Sequence, residues 1–239
     1  MKYYYDLHIH TALSPCANED MTPNNIVNMA LLKGLDFIAI TDHNHAGNVE
    51  AVVECARGKD IVVIPGMEVE SAEEVHLLCL FPDVTAAHEM QQLVFDHLPD
   101  MRNRADIFGS QILYNSRDEI VGQEARLLLT ATSLTVDNVK KEAEKLRGAV
   151  IPAHIDRNAF SIISNLGFIS EDMNFTTIEV SKNAKVSELL EKHAYLRRYK
   201  MIHNSDAHHL GDISEARHFL ELASKSAALL LQMLTSNIC

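Results

Sequence analysis

The chain reads as an α/β protein in which a parallel sheet alternates with helices, on three observations. Short continuous apolar runs, suited to strands buried on both faces, alternate with segments of helical spacing. About seven such runs occur along the chain. Nearly every one ends in polar residues of one kind: His10, Asp42 with His43, Glu68, His154, and Asp206 with His208. Periodicity does not separate an open doubly wound sheet from a closed barrel. The polar strand ends favour the barrel, where such ends converge on one mouth.

The elements follow in order. Tyr3 to Thr11 is a β-rich opening in which His8 and His10 share a face. A loop runs from Thr11 to Asp20. Thr22 and Pro23 then supply an N-cap and a first helical residue, and Gly34 a stop. Leu35 to His43 is the second strand, Asn48 to Ala56 a helix, Ile61 to Glu68 the third strand and Val75 to Phe81 the fourth. From about 83 to 135 the rhythm changes, with a helix-like Ala86–Phe108 segment and a polar stretch at Asn115–Glu119. This segment is expected to be an insertion that caps or walls a site within a single domain spanning residues 1–239. Alternation resumes at Thr135, an N-cap for a helix from Val136 to Arg147. Strands follow at Ala149–His154, Thr176–Ser181 and Lys200–His208, with a helix at Val186–Tyr199 and another at the C-terminus.

Composition narrows the function. With 47% hydrophobic and 23% charged residues, the chain can build a full core. A formal net charge of −12 argues against tight non-specific binding to nucleic acid, which needs basic surface to neutralise phosphates. Cys16, Cys55, Cys79 and Cys239 form no C-x-x-C pair and are expected to be free thiols in a reducing compartment. No signal sequence and no bilayer-length apolar run is legible, so the expected location is the cytoplasm.

The strand-end residues form a set: His8, His10, His43, His76, His154 and His208 with Glu68 and Asp206, all of metal-ligand type. Singly, each has a plain explanation. His76 reads as a core histidine bonded to backbone, and Glu68 as a loop carboxylate. Jointly they read as a metal centre.

In order along the chain, the motifs Asp6-Leu7-His8-Ile9-His10, Thr41-Asp42-His43, Pro65-Gly66-Met67-Glu68, Ile151-Pro152-Ala153-His154 and Ser205-Asp206-Ala207-His208 resemble those of the PHP family, named for polymerase and histidinol phosphatase. The resemblance runs from Asp6 to His208, leaving out about 83–147. It implies a distorted seven-stranded (β/α)7 TIM-like barrel that carries two or three divalent transition-metal ions at the C-terminal mouth of its strands. By matched position, His8, His10, Glu68 and Asp206 would hold one ion. Glu68 would bridge to a second held by His76 and His154, and His43 with His208 would hold a third. Many members supply an Asp to that third site soon after the first motif. Here the turn reads Ser14-Pro15-Cys16-Ala17-Asn18-Glu19-Asp20, and Asp20 is the expected substitute, with Cys16 and Glu19 as alternatives.

The implied activity is that of a metal-dependent phosphoesterase, hydrolysing a phosphate monoester or short nucleotide phosphodiester by a metal-activated water. Mixed nitrogen and oxygen ligation fits zinc, iron(II) or manganese. Candidates for the acid that protonates the leaving group are Asp42 and His203. Arg157, three residues past His154, is placed to grip a substrate phosphate with its planar fork, or else to form a surface ion pair. Three rival readings remain: an exonuclease or proofreading module, an amidohydrolase-type barrel, and a non-catalytic metal-binding scaffold. The amidohydrolase reading would require a bridging lysine in mid-chain. Neither a membrane nor a strongly bound nucleic acid is expected as a partner.

Overall fold

A computed structural model describes residues 1–237, so Cys239 lies outside the described residues. The opening run forms β1 (Lys2–Ile9), and Thr22 caps α1 (Pro23–Leu32), its side chain accepting from the Asn25 N–H. Gly34, at φ 75°, takes the left-handed turn that ends this helix. β2 (Phe37–Ile40), α2 (Val49–Cys55) and β3 (Val62–Glu70) follow, and β1, β2 and β3 pair in parallel.

β4 (His76–Leu80) departs from the expected parallel sheet, because it runs antiparallel to β3. Only residues 71–75 join the two strands, and a parallel return needs a crossover of a dozen residues or more. The chain continues through α3 (Val84–His97), α4 (Ala105–Phe108), β5 (Ile112–Tyr114), β6 (Ile120–Gln123) and α5 (Val136–Lys145). β7 (Ala149–Pro152) then lies antiparallel to β4. After α6 (Ile162–Leu166) come β8 (Thr177–Ser181), α7 (Val186–Lys192) and β9 (Lys200–Asn204), with β8 and β9 parallel. β10 (Phe219–Glu221), which periodicity does not reveal, pairs antiparallel to β1 before the final helix α8 (Ala227–Thr235).

The main sheet has six strands in the order β10-β1-β2-β3-β4-β7 and curls into a half-barrel. β8 lies beside β7, and β9 beside β1, as a separate pair. A few backbone bonds link the pair to the sheet: Ile155 N to Glu179 O at 2.9 Å on one side, and His10 N to Ala207 O at 3.0 Å with Ala207 N to His8 O at 3.2 Å on the other. Among the described residues, the ladders therefore do not form the continuous ring of seven strands expected from the sequence.

The continuous apolar runs are explained by burial on both faces. On β2, Ile38 and Ile40 pack with α1, α2, α3 and α5, whereas Phe37 and Ala39 pack with Leu230, Leu231 and Leu234 of α8. β1 begins with the same alternation, with Tyr3, Tyr5 and Leu7 on the α8 side. A register shift between Asp6 and Ile9 then moves Ile9 to the opposite cluster. The two histidines of β1 and its exit emerge at this irregularity.

No helix among the described residues is long and apolar enough to cross a membrane.

Candidate metal centre

Strand direction decides which residues meet. His8, His10, His43, Glu68 and Asp206 lie at or beyond the C-terminal ends of β1, β2, β3 and β9. Because β4 runs backwards, its first residue His76 reaches the same mouth, and antiparallel β7 delivers His154 there. The backbone ties the two together, with Ala153 N donating to His76 O at 3.0 Å. His154 and Asp206 both have positive φ, 29° and 52°, a conformation that costs side-chain-bearing residues energy and concentrates at functional sites.

Glu68 is the hub. Its Oε1 lies 2.9 Å from His76 Nδ1, 3.2 Å from His154 Nε2 and 3.3 Å from His8 Nε2. Its Oε2 lies 3.0 Å from His43 Nδ1 and 3.4 Å from His10 Nε2. Asp206 Oδ1 adds contacts of 3.1 Å to His8 Nε2 and 3.0 Å to His10 Nε2. Three overlapping groups can each hold an ion: His8, His10, Glu68 and Asp206; His43, Glu68 and His76; and His10, His43 and His208.

The far sides of the rings fix their tautomers. His8 Nδ1 donates to Glu179 at 3.0 Å. Ser14 Oγ gives its proton to Asp42 Oδ1 at 2.7 Å, so it accepts from His10 Nδ1 at 2.9 Å. In their neutral forms both rings therefore present an Nε2 lone pair, and these atoms face each other at 3.1 Å beside Asp206 Oδ1 and Glu68. Glu68 Oε2 and Asp206 Oδ1 are buried without a hydrogen bond. Acceptors so crowded need a cation among them, and the residues fit a divalent metal.

Electrostatics carry the same mark. Burial pushes the Glu68 carboxyl up, but His76, His8 and His43 outweigh it and hold the group well below the usual range. Burial also depresses His8, yet Glu179, Asp206 and Glu68 lift it well above an ordinary imidazole. His10 goes the other way, driven down by burial and by His208 and His43.

Three expected site residues stand elsewhere. Asp42 is fully buried and accepts from Thr11 N, Thr11 Oγ1 and Ser14 Oγ, each at 2.7 Å. All three bonds go to the loop after β1, whose Ser14 in turn contacts His10. His203 stacks on His218, with ring centroids 4.2 Å apart, away from the cluster. Strand alternation explains this, because its neighbour Asn204 is the residue that turns inward, to Glu179. Asp20 is exposed in the loop, its N–H bonded to Asn18 Oδ1, and joins none of the three groups. Cys16, exposed near the rim, is likewise in none of the three groups; burial pushes its thiol up, but His208 and His43 outweigh this and bring it down to about 6. Arg157 does reach the mouth, with Nη1 2.5 Å from Asp206 Oδ2.

Glu179 is the residue that pattern reading missed. It accepts from His8 Nδ1, from His154 N at 2.7 Å and from Asn204 Nδ2 at 2.8 Å. The available signal was one carboxylate within the otherwise uncharged strand Thr177–Ser181. Above the cluster lies a cavity of about 420 Å³ lined by His43, His76, His154, Arg157, Phe160 and His208 among others.

A PHP domain family model matches residues 6–237. The chain belongs to the PHP family. Among solved structures, the PHP chain resembles the lesion-specific endonuclease EndoQ from Pyrococcus furiosus, at TM-score 0.72 and 19% identity. That match covers 98% of this chain and 56% of the endonuclease, so the chain spans little more than half of that protein. It also resembles a putative metal-dependent phosphoesterase from Bifidobacterium adolescentis, at TM-score 0.63 and 17% identity over 98% of this chain and 96% of the other. At these identities the likeness is one of fold. An uncharacterized protein of Methanocaldococcus jannaschii, MJ0043, is 32% identical over 117 residues, which are 47% of this chain and 14% of that protein.

Proposed function

We propose that this PHP domain is a metal-dependent phosphoesterase that hydrolyses a phosphate monoester or a short nucleotide phosphodiester. The observation that carries the reading is the convergence of His8, His10, His43, His76 and His154 on the single carboxylate of Glu68, with Asp206 beside it. Imidazoles outnumber carboxylates there, so a loaded site keeps net positive charge and suits an anionic ester. The donor set fits zinc, iron(II) or manganese.

When bound, the cations supply an activated water and Lewis acidity for the phosphoryl group. The chain's own residues do the rest. Glu179 and Ser14 hold His8 and His10 in the tautomers that present Nε2. Arg157 stands at the rim, where its guanidinium can leave Asp206 for a substrate phosphate oxygen. Phe160, stacked on His76 with centroids 4.8 Å apart, walls the cavity on one side. The segment at about 83–135, expected to cap or wall the site, contributes no residue to the lining of this cavity and packs instead on the loop after β1, through Ile112 and Tyr114 against Ala12. Its Ile112 N donates to Ala12 O at 2.8 Å, and Asn48 Nδ2 joins Thr11 Oγ1 to Ile112 O.

A second reading, action on a nucleic-acid strand, is favoured by the fold shared with EndoQ, one structure of which holds a 27-mer duplex with an abasic lesion at the active site. The net charge of −12 weighs against it.

Protein purified without chelator is assayed for metal content and for hydrolysis of an aryl phosphate, a nucleoside monophosphate, a short single strand and a duplex with an abasic site. Hydrolysis of the small esters supports the first reading, and cleavage confined to the duplex supports the second. Metal-replete protein that cleaves none of these, with metal content unchanged in His8→Ala, overturns both.

A further inference from the structure

The loop that follows β7 ends on an aromatic ring at the mouth of the centre. Phe160 lines the cavity of about 420 Å³ and is 45% exposed. We propose that Phe160 is a stacking platform that selects phosphate esters whose alcohol carries a flat aromatic ring, a nucleobase or an aryl group. The inference rests on the phosphoesterase reading above and names which esters that site prefers.

Backbone geometry holds the ring in this position. Phe160 has φ 54°, in the left-handed region that costs a bulky side chain energy and concentrates at functional sites. Its carbonyl accepts from His76 N at 3.0 Å, which ties it to the first residue of β4. At the other end of the loop, Arg157 N donates to His154 O at 2.9 Å, and Asp156 Oδ1 accepts from Ser181 N at 2.8 Å. Ser161, fully buried, donates to Arg157 O at 2.8 Å and caps α6. Residues 156–160 are thus anchored at both ends.

Placement says what the ring can do. One face of Phe160 lies on the imidazole of His76, with centroids 4.8 Å apart and planes 20° from parallel. His76 is itself 2.9 Å from Glu68, and its ring centroid is 5.3 Å from that of His154. The uncovered surface of the phenyl ring therefore borders the position where a phosphoryl group would be held. Arg157, three residues earlier on the same loop, supplies the charged grip, and Asn158 and Ala159 also line the cavity. The cavity volume falls in the range of small-molecule sites, so a ring fits beside the phosphate. Stacking accepts any flat π system, so the selection is for a class of ring and not for one base.

The test compares esters that share a leaving alcohol and differ in the ring. One pair is a nucleoside monophosphate and the matching ribose phosphate, and the other is benzyl phosphate and cyclohexylmethyl phosphate. KM and kcat are measured on the metal-loaded full chain. Calorimetric binding of the corresponding phosphonates, which cannot be hydrolysed, gives a second readout.

Wild type is expected to favour the aromatic member through KM. Preference in the first pair alone assigns a nucleobase, and preference in the second assigns an aryl ring more generally. Phe160→Leu should raise KM for the favoured ester about tenfold or more and leave its partner nearly unchanged, with metal content constant. Phe160→Tyr should restore the preference. Equal loss on both members in Phe160→Leu, or a fall in its metal content, overturns the proposal in favour of a ring that only shields His76. Hydrolysis of both pairs by wild type without preference sinks this inference and leaves the functional reading standing. Phosphonate binding that favours the ring, without turnover of any ester, does the reverse.

Discussion

Glu179 lies behind His8, its carboxylate 3.0 Å from Nδ1 on the side of the ring turned away from Glu68. The same carboxylate holds the backbone N–H of His154, so one buried group fixes two candidate ligands that arise on different strands. A partner of this kind sets ring orientation and raises ligand basicity. Glu179→Gln should therefore lower metal affinity or activity roughly 10–100-fold while the fold persists. Isothermal titration of metal into apo protein, with circular dichroism as the fold control, checks it. Unchanged affinity would remove Glu179 from the site.

Asp42 makes a different prediction, since its hydrogen bonds go to the loop after β1. Its three short hydrogen bonds satisfy Thr11 and Ser14 inside the protein. Asp42→Ala leaves buried donors unpaired, at a cost of about 1–3 kcal/mol for each one left unsatisfied. Thermal unfolding should show a clear drop in Tm, together with weaker metal binding through His10. A variant as stable as wild type but inactive would restore Asp42 as a candidate acid.

Among the described residues the Arg157 guanidinium pairs with Asp206, and the residue lines the cavity. If it grips a substrate phosphate, Arg157→Ala should raise KM for a phosphate ester about tenfold or more, in line with a lost charged hydrogen bond. Metal content should stay at the wild-type level. A fall in metal content with KM unchanged would mean that Arg157 supports Asp206 instead.

Stability should decline at alkaline pH through Tyr5. Burial, above all, pushes this phenol from an ordinary 10.0 to about 12, with Asp6 and Glu179 adding to the rise. The unfolded chain thus releases its proton before the folded one does. The contribution of Tyr5 is intact below pH 10 and is lost as pH rises towards about 12. Over that window the unfolding free energy should fall by up to ~1.4 kcal/mol per pH unit. Urea titrations at several pH values compare wild type with Tyr5→Phe, and equal slopes in the two proteins would contradict the assignment.

By itself the sequence determined the strand-helix alternation and the candidate ligand set. Buried strands leave continuous apolar runs, and strand ends that carry histidine and carboxylate are visible as interruptions of those runs. The caps at Thr22 and Thr135 were legible for the same local reason, since each side chain serves a backbone N–H three residues on. Tertiary structure decided the rest. The reversal of β4, set by a link too short for a crossover, is what brings His76 to the mouth. Whether Asp42, His203, Asp20 or Cys16 faces the centre depended on loop paths and on side-chain direction at the strand ends, which period-two patterning leaves open once a register shift intervenes. The role of Glu179 also waited on the fold, because a buried carboxylate shows its purpose only through partners that arrive from β1, β7 and β9, far away along the chain.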